Sequence, residues 1–206
     1  MLSFITKILT LIFIIGFLPL MIVVFLFLLI HGINPIYKSK RVGRNEKAFT
    51  MFKFRSLKPD LVKGYLTSNS DQSFFYFSNF LRNSKLDELP QLINILIGDM
   101  NWVGPRANDP RLVSKYSVED RKKIFSIKPG LTDYSTLIYG MRSDDLINNK
   151  DENDYFDKIE KKKIIYRKLY VDNKNCVTDL KIIVYTAMSY MGIIKLTEKN
   201  FKSFFK

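Results

Sequence analysis

The chain has 206 residues, long enough for one domain with a real core and some appended elements, and its 33 Lys+Arg against 20 Asp+Glu give a formal net charge of +13. Such an excess points to an anionic partner (nucleic acid, an anionic membrane surface or a phosphate-bearing substrate), with solubility alone as the plain alternative. A single cysteine, Cys176, excludes an internal disulfide and a cysteine-rich zinc site, and a single histidine, His31, at the end of an apolar segment, leaves any catalysis to carboxylates, Lys, Arg or hydroxyls.

Ile8 to Ile30 reads ILTLIFIIGFLPLMIVVFLFLLI, 23 residues without a charge. As a helix it is about 35 Å long, enough to cross a hydrocarbon core. It is too long for a cleaved signal peptide, and the HGINPIYKSK that follows has no small-x-small cleavage pattern. Lys7 alone precedes the run, whereas Lys38, Lys40, Arg41, Arg44 and Lys47 follow it, so the positive-inside rule leaves the bulk of the protein in the cytoplasm. Pro19, near the centre, removes a backbone hydrogen bond, and Gly16 loosens the helix beside it. Two topologies stay open: a proline-kinked single span with its N-terminus outside, or a bent segment that enters and leaves by one face.

Composition changes abruptly near residue 34. Pro35 to Leu57 predicts short extended segments around a turn at Gly43, with a strand signalled by the period-two spacing of Phe49, Met51, Lys53 and Arg55. Residues 58–73 are polar and loop-like. Ser73 to Arg82 and Leu86 to Ile97 each space their apolar residues as helices, the second stopped by Gly98, and 99–106 is a turn-rich loop. Ser117 and Asp120 form a capping-box pattern that opens a basic helix to about Ile127, ended by Lys128-Pro129-Gly130. Residues 143–157 predict an exposed acidic loop, and Asp157 to Val171 a basic helix. From Val177 the apolar positions keep helical period to Ile194. Phe201, Phe204 and Phe205 then interleave with Lys199, Lys202 and Lys206, which suits a helix in the interface of an anionic bilayer. A helix closing the core fits 177–194 equally well.

The chemistry concentrates in Asp87-Glu88-Leu89-Pro90. Proline is at home in a first helical turn, which places Asp87 or a close neighbour at a helix N-terminus, where free N–H groups and the dipole favour an anion. An ionised Asp87 there can act as a nucleophile. It can equally be a cap, since Ser84 and Asp87 also have capping-box spacing. Lys53, Arg55, Arg82, Arg106 and the Lys128-Pro129-Gly130 turn add cations among small and turn-forming residues. Arg forks and Lys point charges bind phosphate oxygens. Two adjacent carboxylates need a cation between them, for which Mg²⁺ is suited. Together these are parts for phosphoryl transfer, where catalysis is mostly positioning and charge stabilisation.

KRVGRNEKAFTMFKFRSL, LRNSKLDELPQLINILIGDMNWVGPR and KPGLTDY, in that order behind an apolar segment, resemble the bacterial sugar transferases, the small monotopic phosphoglycosyl transferases. The resemblance covers roughly residues 10–140. It implies transfer of a phosphosugar from a UDP-sugar to polyprenyl phosphate at the cytoplasmic face of the bacterial inner membrane, with release of UMP, as the first membrane step of a glycan pathway that later glycosyltransferases continue. Asp87 would form the covalent intermediate, Glu88 with Asp87 would hold Mg²⁺, and Lys53, Arg55, Arg82 and Arg106 would hold phosphates, with Pro129 and Gly130 near the nucleotide. It also implies an α+β, mostly helical fold in three parts: a re-entrant membrane helix–break–helix at 1–34 with the break at Pro19, a compact cytosolic catalytic domain at 35–172, and a C-terminal amphipathic interfacial helix at 173–206. The chain departs from the family pattern at Leu18, where relatives have Ser before the proline, at Ala107-Asn108, and at Leu131-Thr132-Asp133-Tyr134. The last two are expected to touch substrate choice. A non-catalytic membrane-anchored scaffold for anionic lipid or protein partners is the alternative. Nucleic acid is not expected, because no motif for it is present.

Overall fold

A computed structural model describes residues 2–57, 77–140 and 152–205. The expected polar loop at 58–73, the start of the helix expected from Ser73, and the acidic stretch at 143–151 lie outside the described residues.

Helix α1 (Leu2–Ile30) carries Pro19 inside it without interruption. The expected break is thus corrected. The backbone stays helical on both sides of Pro19, whose missing N–H leaves the Ile15 carbonyl without its usual donor. By length and composition α1 could cross a membrane, yet it is no free stalk. Thr10 Oγ1 accepts a hydrogen bond from Trp102 Nε1 at 2.9 Å, and the Phe13 ring meets Trp102 edge-on at 4.9 Å. Ile14 packs on the cluster of Met51, Leu92 and Met100. Val24 and Leu28 are buried with Phe54 and Leu81. These contacts stretch over roughly 27 Å of helix. One face of α1 therefore lies along the rest of the molecule, while the other is exposed and apolar.

The extended segments expected around Gly43 are strands β1 (Ile36–Val42) and β2 (Ala48–Phe54), paired as an antiparallel hairpin with Ile36 opposite Phe54 and Val42 opposite Ala48. Helix α2 (Ser78–Asn83) follows, then a 3-10 turn at Leu86–Glu88 and helix α3 (Gln91–Ile97). A single helix over Leu86–Ile97 was the expectation; Pro90 divides it. With no N–H of its own, Pro90 cannot satisfy the Leu86 carbonyl, which instead accepts from Leu89 N in a tighter turn. Pro90 is the N-cap of α3, so Asp87 and Glu88 precede the helix rather than open it. The Ser84 capping box does not form either: Ser84 Oγ donates back to the Phe80 carbonyl at 2.6 Å.

Strand β3 (Asn101–Val103) pairs in parallel with β4 (Gly130–Thr132). Between them lie α4 (Pro110–Val113) and α5 (Val118–Ile124), the latter opened by the predicted box: Ser117 Oγ accepts from Asp120 N at 3.1 Å. Helix α6 (Tyr134–Tyr139) is capped by Asp133, whose Oδ1 accepts from Thr136 N at 2.7 Å. Helix α7 (Glu152–Tyr155) runs through a π-helical turn (Phe156–Glu160) into α8 (Lys161–Asn173). Residues 152–157 are therefore helical where a loop was expected. Helices α9 (Cys176–Tyr190) and α10 (Phe201–Phe204) complete the described chain.

The largest core cluster joins Tyr134, Leu137, Tyr170, Ile182, Leu196 and Phe201. The C-terminal aromatics are corrected accordingly. Phe201 is buried, and Phe204 and Phe205 meet Tyr185 edge-on at 5.3 and 5.5 Å. They close the core instead of lining a lipid-facing stripe, because α6, α8 and α9 leave an aromatic-lined gap that they fill. Helix α9 closes the core with one side and leaves the other side apolar and open. Ile182 is fully buried, while Val177, Leu180, Val184 and Met191 on its other side are exposed.

Candidate functional site

The site is assembled by one buried asparagine and one pair of glycines. Asn94, on α3, accepts from Phe52 N through Oδ1 at 3.0 Å and donates through Nδ2 to the Thr50 carbonyl at 2.8 Å. Its amide thus imitates a third strand on the free edge of β2. That bond fixes α3 and the turn before it against β2, and Lys53 Nζ falls 2.9 Å from Glu88 Oε1. Across the site, Gly104 and Gly130 let two backbones touch. A Cβ on Gly130 would fall 2.1 Å from Gly104 N. This close approach brings Arg106 beside Glu88. Arg106 Nη1 donates to the Leu131 carbonyl at 2.7 Å, and its Nη2 donates to Glu88 Oε1.

Glu88 is therefore held by Lys53 and Arg106 together. Burial by itself would raise its pKa, but Arg106, then Lys53 and Lys85, hold it well below the usual carboxylate range. Asp87 is the opposite case. It is 6% exposed, and its Oδ1 is buried without a hydrogen-bond partner among the described residues. Burial pushes its pKa up, Glu88 adds to the rise, and Lys53, Lys85 and Arg82 only partly oppose it. Asp87 lies in the first turn of the 3-10 helix ahead of α3, and burial outweighs what favours its ionised form there. Lys85 supports the turn from a left-handed conformation at φ 57°, a strain of about 1–2 kcal/mol.

Two cavities meet at this turn. A polar cleft of about 200 Å³ is lined by Lys85, Glu88, Arg106, Lys163, Arg167 and Tyr190, among others. An apolar groove of about 270 Å³ runs from Phe13 and Phe17 on α1 past Trp102 and Ile183 to the same Lys85, Glu88 and Tyr190. Tyr190, at the junction, has its pKa pushed up to about 12 by burial and by Glu88, so its hydroxyl stays a proton donor at neutral pH. Such an arrangement can take an anionic head on one side and a hydrocarbon chain on the other.

The structure brings Asp87, Glu88, Lys53 and Arg106 together. Arg82 acts on Asp87 electrostatically from α2. Arg55 is elsewhere: its Nε donates to the Asn34 carbonyl at 3.0 Å and its guanidinium covers the Tyr37 ring, in a separate hollow with Phe25 and Lys38. Pro129 and Gly130 line neither cavity, and they serve the backbone crossing that positions Arg106. Asp133, in the divergent Leu131–Tyr134 stretch, caps α6 and lies 4.0 Å from Arg167. Sequence reasoning missed Lys85, Lys163, Arg167 and Tyr190. Lys85 lies inside the quoted motif and was legible as a charge beside the dyad. The others come from α8 and α9, where one lysine or tyrosine among many carries no local mark. Among the described residues no group of three or more His, Cys, Asp or Glu side chains forms a metal cage. The two carboxylates with the orphaned Asp87 Oδ1 fit only a hard ion that completes its shell with water and phosphate oxygens, as Mg²⁺ does.

Comparison with known proteins matches residues 2–192 to the family described as bacterial sugar transferase. A UDP-glucose:undecaprenyl-phosphate glucose-1-phosphate transferase of Xanthomonas campestris pv. campestris is 30% identical over 194 residues, covering 90% of this chain and 38% of that protein. A protein of the same name from Escherichia coli (strain K12) is 33% identical over 156 residues, covering 73% and 31%. The exopolysaccharide production protein PSS of Rhizobium leguminosarum bv. phaseoli is 29% identical over 180 residues, covering 83% and 85%. The chain thus spans well under half the length of the first two and most of the third.

Proposed function

The chain belongs to the bacterial sugar transferase family, and from that premise we propose that it moves a phosphosugar from a UDP-sugar to polyprenyl phosphate and releases UMP. The observation that carries this reading is the meeting of the cationic cleft and the apolar groove at the Asp87-Glu88 turn. A donor diphosphate suits the first, and an isoprenoid chain the second.

Asp87 attacks the sugar-bearing phosphorus, and the bond to the nucleotide-side oxygen breaks, so that UMP leaves with the electron pair. A phosphate oxygen of polyprenyl phosphate then attacks the same phosphorus and returns Asp87 as a carboxylate. Arg106 and Lys53 hold Glu88 anionic and in place, and their charge lies next to the phosphate being transferred. Asp87 and Glu88 would hold Mg²⁺, which would supply neutralising charge to the diphosphate. Tyr190 would donate its hydroxyl hydrogen to a phosphate oxygen at the junction.

The contacts of α1 with the domain on both sides of Pro19 support a helix that lies along the cytoplasmic side of the bilayer with both ends there. The exposed apolar side of α9 supports a second point of membrane contact. The product, a lipid-linked sugar phosphate, is the kind of molecule that membrane glycosyltransferases extend.

Incubation of the membrane-embedded protein with a panel of UDP-sugars and polyprenyl phosphate is expected to release UMP with at least one of them. Release of UDP would identify direct glycosyl transfer instead. No nucleotide release from any donor would leave the scaffold reading.

A further inference from the structure

The polar cleft has two walls. One is the dyad turn with Arg106. The other is built by α6 and α8. In that second wall the charges are already paired, with one exception. Arg167 Nη1 donates to Glu160 Oε1 at 2.5 Å and to the Tyr116 hydroxyl at 2.6 Å. Asp133 Oδ1 accepts from Ser135, Thr136 N and Thr136 Oγ1. Lys163 remains. Its Nζ donates to the Tyr155 hydroxyl at 2.8 Å, and among the described residues no carboxylate forms an ion pair with it.

The cleft thus gathers Lys85, Arg106 and Lys163, while Glu88 spends its Oε1 on Lys53 and Arg106. The crowding is visible in Lys163 itself. Burial lowers its pKa to about 8, with Arg167 and Arg106 pressing it further down and Glu160 and Asp133 opposing them. Cations collected in a semi-enclosed space without a matching anion form a phosphate site. At about 200 Å³ the cleft is smaller than the roughly 300–1,000 Å³ of pockets that enclose whole drug-sized ligands. It takes a phosphate, not an entire nucleotide sugar.

We propose that Lys163, facing Lys85 and Arg106 across the cleft, binds the second phosphate of the donor, the one that leaves on the nucleotide. The proposal rests on the reading of the donor as a nucleotide diphosphate sugar. When the bond between the two phosphates breaks, the electron pair stays on the nucleotide-side oxygen. The new charge then develops beside Lys163 and is balanced by its ammonium, with no further reactant.

The test uses the full chain in lipid nanodiscs and isothermal titration with UDP and with UMP. Lys163→Met, which keeps length and removes charge, is expected to weaken both at least tenfold, while Lys163→Arg stays within threefold of the parent. In turnover, Lys163→Met should raise KM for the UDP-sugar and leave KM for polyprenyl phosphate unchanged. Equal UDP affinity in parent and Lys163→Met overturns the subsite, as does failure of the parent to bind UDP. A loss in Lys163→Arg as large as in Lys163→Met also overturns it, because packing rather than charge would then be at work. The reaction is scored separately by UMP release. A parent that binds UDP through Lys163 yet releases no UMP keeps the subsite and removes the transfer reading.

Discussion

Asp87 and Glu88 are neighbours in the chain and opposites in electrostatics. Glu88 is anchored by Lys53 and Arg106 and stays ionised. Asp87 is buried, with an oxygen that has no hydrogen-bond partner among the described residues, and its pKa is raised. Two carboxyls pushed apart in this way fit the roles proposed above, Glu88 fixed and Asp87 reactive. The raised value also has a sign for stability. A carboxyl that is harder to ionise in the fold than in the unfolded chain makes its charged form a cost at neutral pH, and the cost fades as pH falls through the folded value. Asp87→Asn is therefore expected to abolish turnover while its Tm at pH 7 equals or exceeds that of the parent, with the difference narrowing in acid. Thermal unfolding at two pH values with a UMP-release assay checks this; residual turnover above a few per cent would speak against covalent catalysis by Asp87. The same sign sets the acid limb of the parent's activity, which should fall at a higher pH than an exposed aspartate would give.

At the scale of elements, the dyad turn is only as well placed as α3 is against β2. Asn94 makes that joint through two bonds to backbone groups 42 and 44 residues away. Asn94→Ala should leave the Phe52 N–H and the Thr50 carbonyl unmet. That is expected to cost about 2–3 kcal/mol in urea unfolding and to reduce turnover as well, because Lys53 drifts from Glu88. Unchanged stability would mean that the edge of β2 is held by packing alone. The extended segments around Gly43, the Ser117 cap and the helical spacing of α8 and α9 were legible in the sequence, since each rests on residues within a few positions of one another. The division at Pro90 was legible in part: the proline was read as a first-turn residue, but its missing N–H acts on Leu86, four residues earlier, and turns the preceding residues into a 3-10 turn. Asn94 was not legible, because an asparagine in a helix gives no sign of which strand edge it will meet.

For the whole molecule, α1 is the element whose meaning changes most. Apolar run and positive flank alone allowed a single span. With Thr10 bonded to Trp102 and Leu28 buried against Phe54 and Leu81, both halves of the helix contact one charged domain. A helix perpendicular to the bilayer would have to draw that domain into hydrocarbon, where its polar surface is costly. Cysteine introduced at Ser3 or Lys38, with Cys176→Ser as background, is expected to resist a membrane-impermeant thiol reagent in intact cells and to label after lysis. Labelling at position 3 alone would restore the single span.

Residue type and short spacing are enough to set the apolar helix, the cationic excess, the adjacent carboxylates, the local caps, and the motif order that marks the family. The packing of distant segments settles the rest. It gave Asp87 and Glu88 opposite pKa shifts, took Arg55 out of the cluster, put Phe201 into the core and brought Lys163 and Tyr190 to the dyad. The reason is physical. Burial and charge pairing are properties of what surrounds a side chain, and here the surroundings come from strands and helices tens of residues away.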